Sequence, residues 1–192
     1  MFDNTVSLAG SLPLNALHKT WPSLEVKELV GGEICSLTAL HGGVSALRTK
    51  FQNEYGALLP AQGKVVSFDT GFLFCSAPEQ WFVHLNIENA FLDIELGAVL
   101  ETRAAVTLQT DAWARVAIIG EDTPQVLERL MALNLSDQAF PMGSAVRTLL
   151  GHLNVFIVRG DKASDIYEIW CARSFANSLA HEICVAAENV CG

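Results

Sequence analysis

A chain of 192 residues can bury a substantial core as one large domain or two small ones, without disulfide or metal staples. Twelve basic against 21 acidic residues give a net charge of −9, which repels a phosphate backbone and argues against nucleic-acid binding. Hydrophobic residues reach 51% while charged ones supply 17%. An ordinary soluble domain carries about 25% charged residues, so the polar coat is thin and the apolar excess is expected to form patches that mark an interface.

Residues 1–23 carry Pro13, Pro22 and many small polar residues, and read as an extended arm that becomes ordered by lying on something else. Met1-Phe2-Asp3 puts an acid where an export signal has its basic region, so no such signal is expected. A strand over 34–39 meets Gly42-Gly43, after which Val44, Leu47, Phe51 and Tyr55 form one stripe of an amphipathic helix. Residues 63–68, 72–76 and 81–85 read as three short strands, the last two joined by a turn at Pro78. Asn86 is read as capping a helix over 87–100 whose apolar side is Phe91, Ile94 and Ala98. Strands at 105–110 and 115–119 are assigned to the following layer. Thr123 then caps, and Pro124 opens, a helix through Val126, Leu127, Leu130 and Met131.

Three more strands, 145–150, 154–158 and 166–171, precede a last helix over about 174–190. Phe175, Leu179, Ile183 and Ala186 lie on one stripe of that helix, and Ala176, Ala180, Cys184 and Ala187 on its neighbour. So wide an apolar arc implies burial against its own sheet and against another chain. The order strand, helix, three strands, helix thus occurs twice, and Pro60-x-x-Gly63 is echoed by Pro141-x-Gly143, the two glycines eighty positions apart. The expected fold class is α+β: two intertwined, pseudo-repeated αβ units, 24–110 and 111–192, with mixed or antiparallel sheets behind an arm at 1–23.

Motifs that announce chemistry are scarce. No GxGxxG follows a strand, and GxxxxGK[ST], HExxH and GxSxG do not occur. His18, His41, His84, His152 and His181 fall in five different elements and read first as structural groups. Cys35, Cys75, Cys171, Cys184 and Cys191 are an odd set without CxxC, expected as reduced thiols of a cytoplasmic protein. His181 and Cys184 have ligand spacing but no second pair, so a buried thiol beside a surface histidine is preferred over zinc. Residues 149–158, the most apolar run, are broken by Gly151, His152 and Asn154 and fall short of the ~20 residues a membrane span needs. No membrane contact is expected, since no Lys/Arg-rich amphipathic face is present either.

Arg173-Ser174-Phe175-Ala176-Asn177-Ser178-Leu179 resembles the helix start near the C-terminus of the gamma subunit family of heterotetrameric sarcosine oxidases. In the same order, Ser11-Leu12-Pro13-Leu14, Ile119-Gly120-Glu121-Asp122 with Val126-Leu127, Leu133-Asn134-Leu135 before Phe140-Pro141-x-Gly143, Arg147-Thr148, and Gly151-His152-Leu153-Asn154-Val155 resemble that family's pieces. The chain departs from it at Asn134, where Asp is frequent, and at Gln109-Thr110-Asp111-Ala112-Trp113, where an Asp-x-Ser element is usual.

The resemblance implies an aminomethyltransferase folate-binding-domain-like fold and a cytoplasmic complex of four different chains. Such a complex demethylates sarcosine oxidatively to glycine and passes the one-carbon unit to tetrahydrofolate or releases it as formaldehyde. It implies that FAD, FMN, NAD and tetrahydrofolate are held by partner subunits, and that this chain is a non-catalytic partner of alpha, beta and delta chains, with no cofactor of its own. Arg173, Phe175, Leu179 and Ile183 are the expected partner interface, with the arm beside them. The alternative is a stand-alone folate-binding aminomethyltransferase-like protein, in which Asp69 or Asp111 would meet folate or an amine, and Trp81, Trp113 or Trp170 would stack on a pterin. An unrelated homo-oligomeric interaction domain is the third reading.

Overall fold

A computed structural model describes residues 12–40, 42–160 and 166–192. Its strands and helices run β1 (His18–Trp21), β2 (Leu24–Glu28), β3 (Glu33–Ala39), α1 (Val44–Tyr55), β4 (Val65–Phe68), β5 (Gly71–Ala77), β6 (Gln80–Leu85), α2 (Leu92–Leu100) and β7 (Ala104–Leu108). They continue with β8 (Trp113–Ile119), α3 (Thr123–Glu128), β9 (Ser144–Leu150), β10 (Leu153–Arg159), β11 (Ile166–Ala172) and α4 (Ala176–Cys191). The strands form two sheets, ordered β4-β5-β6-β3-β7 and β9-β10-β11-β8-β2-β1. Every strand pairing within them is antiparallel.

Alternation along the strands gives each sheet two apolar faces. Leu37, Leu73, Trp81 and Val83 pack with α1 and α2 through Leu47, Phe51, Leu92 and Leu96. Val116, Ile118, Ile157 and Ile169 pack with α3 and α4 through Val126, Leu127, Leu179 and Ile183. The opposite faces meet in a third, aromatic layer containing Phe74, Phe82, Phe156 and Trp170, with Phe72 and Trp113 at its edges. Helices therefore lie on the outside and the sheets face each other across this seam.

The sheet orders show the repeat. β3-α1-β4-β5-β6-α2 and β8-α3-β9-β10-β11-α4 occupy equivalent places, and β7 and β2 are the equivalent strands added beside β3 and β8. The two Pro-x-Gly sites meet: the Val65 amide donates to the Gly143 carbonyl (2.9 Å) and the Ala145 amide to the Gly63 carbonyl (3.1 Å). The segments around these two glycines thus exchange a reciprocal pair of hydrogen bonds and join the two sheets.

Several expectations need correction. β1 and β2 belong to the sheet of the second unit, so the division at residue 24 does not follow the packing. β7 closes the first sheet instead of opening the next layer. From residue 12 on, the arm is ordered by its own chain: Leu14 is buried in the core beside α3 and α4, and the amides of Leu14 and Ala16 donate to the buried Glu28 carboxylate (3.0 and 2.9 Å). The rest of the arm, 1–11, lies outside the described residues.

α2 starts at Leu92 and not after Asn86: the Asn86 backbone amide donates to the Thr70 carbonyl, and in the turn before the helix the Asn89 Oδ1 accepts the Phe91 amide. Its buried side is Leu92, Leu96 and Leu100, which leaves Phe91 and Ile94 facing out. At α3 the N-cap position is Asp122, with Thr123 buried inside the first turn. No helix of the described residues is long and apolar enough to cross a membrane.

Candidate functional site

β8 and β11 read Trp-Ala-Arg-Val-Ala-Ile-Ile and Ile-Tyr-Glu-Ile-Trp-Cys-Ala, each apolar except for one charge. Period-two geometry puts Trp113, Arg115 and Ala117 of one strand, and Glu168, Trp170 and Ala172 of the other, on the face that meets the first sheet. Arg115 stands directly opposite Trp170 in the register, with Glu168 two places along. From the first sheet, β6 brings His84 to the same seam, between Phe72 on β5 and Ile34 on β3. The result is a polar end to an otherwise aromatic layer.

These groups engage one another. The Arg115 guanidinium carbon lies 5.5 Å from the Trp170 ring centroid, Nη2 donates to the Gly31 carbonyl (2.8 Å), and Nη1 is 3.8 Å from Glu168 Oε2. Trp170 Nε1 donates to that same Glu168 oxygen (3.1 Å). The His84 ring lies 5.2 Å from Phe72 and 6.3 Å from Trp170, centroid to centroid. Neither of its nitrogens has a hydrogen-bond partner among the described residues. Gly32, at φ +73°, lets the backbone pass over this ring: a Cβ there would sit 2.5 Å from His84 Nε2 and 2.7 Å from the Leu85 carbonyl.

Electrostatics follows from burial. Desolvation, reinforced by the Arg115 charge, pushes the His84 imidazole down to about 4, so it is neutral at ordinary pH. Burial lowers Arg115 against the pull of Glu168, and burial raises Glu168 against Arg115 and the Trp170 N–H. The site thus sets an arginine against a glutamic side chain, each pulled toward its charged form by the other and away from it by burial, beside an uncharged imidazole. Above it opens a cleft of about 500 Å³ whose lining includes Val30, Gly31, Phe72, Ile87 and Glu88. Across Gly31-Gly32 lies a smaller hollow of about 130 Å³ reached by Leu12, Asp111, Trp113 and Arg173. Both His84 nitrogens are buried, beneath a cleft that this residue helps to line.

The residues expected from sequence scatter. Leu179 and Ile183 are 0% exposed inside the chain's own core, so they are not available to a partner; α4 spends its main stripe on its own sheet. Phe175 is 49% exposed, and Arg173 reaches the smaller hollow. Asp111 lies in the same hollow, while Asp69 sits in the exposed β4–β5 turn. Trp81 is buried on the helix side and donates to the Pro60 carbonyl (2.9 Å). Trp113 and Trp170 are in the seam. His18 pairs with Glu25 on the surface, His152 and His181 are exposed, and His41 lies outside the described residues. Cys184 is buried while His181 is exposed, and no group of three metal-ligating side chains occurs among the described residues. Arg115, Glu168 and Gly31-Gly32 were missed by sequence reading, although a lone charge inside each of two apolar strands was a usable signal.

No protein-family model and no curated protein matches the chain. Among solved structures it is similar to a chain of the heterotetrameric sarcosine oxidase from Corynebacterium sp. U-96 in complex with pyrrole 2-carboxylate. The TM-score is 0.77 and the identity 20%, over 91% of this chain and 88% of that one. It is also similar to the glycine cleavage system aminomethyltransferase T from Bartonella henselae, with TM-score 0.59 and 15% identity over 90% of this chain. That match covers 56% of the aminomethyltransferase, so this chain spans little more than half its length. At such identities the likeness is one of fold, and the sequence resemblance to the sarcosine oxidase gamma subunit family holds at that level.

Proposed function

We propose that the chain is a non-catalytic, gamma-type subunit of a cytoplasmic assembly that oxidatively demethylates sarcosine to glycine, with transfer of the one-carbon unit to tetrahydrofolate. Alpha, beta and delta chains would be its partners and would carry FAD, FMN, NAD and tetrahydrofolate. The observation that carries the reading is the mutual coverage of 91% and 88% with a chain of heterotetrameric sarcosine oxidase, against 56% of the longer aminomethyltransferase. Further support comes from the thin polar coat and from a cleft whose charged groups are tied to one another rather than presented for reaction.

Purification of the tagged chain from its own cells grown on sarcosine tests this. The expected result is co-elution with three other chains at fixed stoichiometry, flavin absorbance in the same peak, and demethylation by the assembly but not by the chain alone. Turnover of sarcosine by the isolated chain would overturn it. Tight tetrahydrofolate binding by the chain in calorimetry would favour the stand-alone aminomethyltransferase-like reading instead.

A further inference from the structure

The apolar side chains left outside are not spread evenly. Among the described residues, ten large hydrophobic side chains are exposed; of these, Leu12, Val30 and Ile87 line the cleft or its neighbouring hollow, and Phe91 and Ile94 follow within seven residues of Ile87 along the chain. Val30 and Ile87 line the cleft, and Val30 and Leu12 line the hollow. Phe91 and Ile94, each 65% exposed, sit one turn apart at the start of α2, four and seven residues beyond Ile87. A helix normally turns such residues inward; here the inward face is already filled by Leu92, Leu96 and Leu100.

Charge selects the occupant. Between residues 86 and 96 stand Glu88, Asp93 and Glu95 with no Lys or Arg, and the whole chain carries −9. A second copy laid on this face by a two-fold axis would set these carboxylates against themselves, which disfavours a homodimer. The cleft and hollow are lined by Arg115 and Arg173 against Glu28, Glu88, Asp111 and Glu168, so the acidic side chains outnumber the basic ones there too. We infer that the rim formed by Leu12, Val30, Ile87, Phe91 and Ile94 docks a different chain, one presenting an apolar patch bordered by lysine or arginine. This rests on the subunit reading above and specifies which surface serves it.

The test uses the assembly isolated through a tag on this chain, comparing wild type with Val30→Asp/Ile94→Asp and with the control Leu149→Asp/Val185→Asp, whose sites are exposed on β9 and on α4. The rim variant is expected to lose about tenfold or more of its co-purified partner while its melting curve stays that of the wild type, and the control is expected to keep it. A carbodiimide should join the peptide carrying Glu88, Asp93 and Glu95 to lysines of the partner. Full recovery with the rim variant, or a loss confined to the control, would overturn the inference and leave the subunit reading standing. Cross-links to a second copy of this chain would overturn it in favour of self-association. Failure of the wild-type chain to enter any defined assembly would sink both.

Discussion

Phe74 is the residue on which the two-sheet architecture can be tested most sharply. It is 0% exposed, and its ring lies 5.2 Å from Trp170, 5.4 Å from Phe156 and 5.7 Å from Phe82, so one side chain touches both sheets. Truncation by Phe74→Ala removes the buried ring and leaves a cavity that aromatic neighbours on two rigid sheets cannot close, a change that costs about 3–5 kcal/mol. For a chain of this size each kcal/mol lowers the melting temperature by roughly 2–4 °C, so a fall of about 6–20 °C is expected. Urea unfolding followed by circular dichroism measures the same loss, with Phe91→Ala as the control, expected to stay within about 0.5 kcal/mol because its ring is mostly in solvent. The cycle of Phe74→Ala with Phe156→Ala should show coupling of about 0.5–1.5 kcal/mol. A loss below about 1 kcal/mol for Phe74→Ala would mean that the seam is not a packed core and that the sheets do not face each other as described.

The His84 imidazole, held down at about 4 from an ordinary 6.5 by burial and by Arg115, binds its proton more readily in the unfolded chain. Stability from this group is therefore complete above about pH 6.5 and is lost as the pH falls toward 4, a swing of about 3 kcal/mol. In His84→Gln the slope of unfolding free energy between pH 4.5 and 7 should flatten accordingly, and an unchanged slope would refute the buried neutral state. Gly32→Ala should destabilise by more than about 1 kcal/mol, and by more than Gly151→Ala. Both positions have positive φ, but only at Gly32 would the new methyl meet His84 and the Leu85 carbonyl; equal melting temperatures for the two variants would contradict the close approach.

Much of the fold is legible in the sequence because local patterns and tertiary demand agree. The Val44, Leu47, Phe51 stripe becomes α1, the apolar runs 145–150 and 154–158 become a hairpin, and the eighty-residue echo becomes a contact between Gly63 and Ala145 and between Gly143 and Val65. Failures arise where periodicity leaves two answers. Within 87–100, Phe91-Ile94-Ala98 and Leu92-Leu96-Leu100 are both acceptable helical stripes, and only the position of the sheet decides which is inside. A wide apolar arc on α4 likewise reads as two-sided burial, yet one chain's own sheet with α3 and the N-terminal residues absorbs Leu179, Ile183, Ala186 and Ala187. The origin of β1 and β2 in the second sheet was not readable at all, since strand order depends on contacts far apart along the chain.

The burial on α2 and α4 also separates side chains the fold has claimed from those it has left exposed. Residues buried by the fold are unavailable for recognition however apolar they are, so an interface has to be built from side chains that the core leaves unclaimed. α4 has few: Val185 is exposed on an otherwise polar outer face, and Phe175 is exposed at the N-cap position just before the helix. The start of α2 leaves Phe91 and Ile94 exposed one turn apart, within seven residues of Ile87, which lines the cleft with Val30. Substitution of such residues perturbs the folded chain little and its attachment strongly, whereas Leu179→Asp would place an unpaired charge in the core and unfold the molecule before any question of assembly arose. The two classes of variant are separated by measuring the melting of the isolated chain first: loss of partner with unchanged melting belongs to the rim, and loss of both belongs to the core.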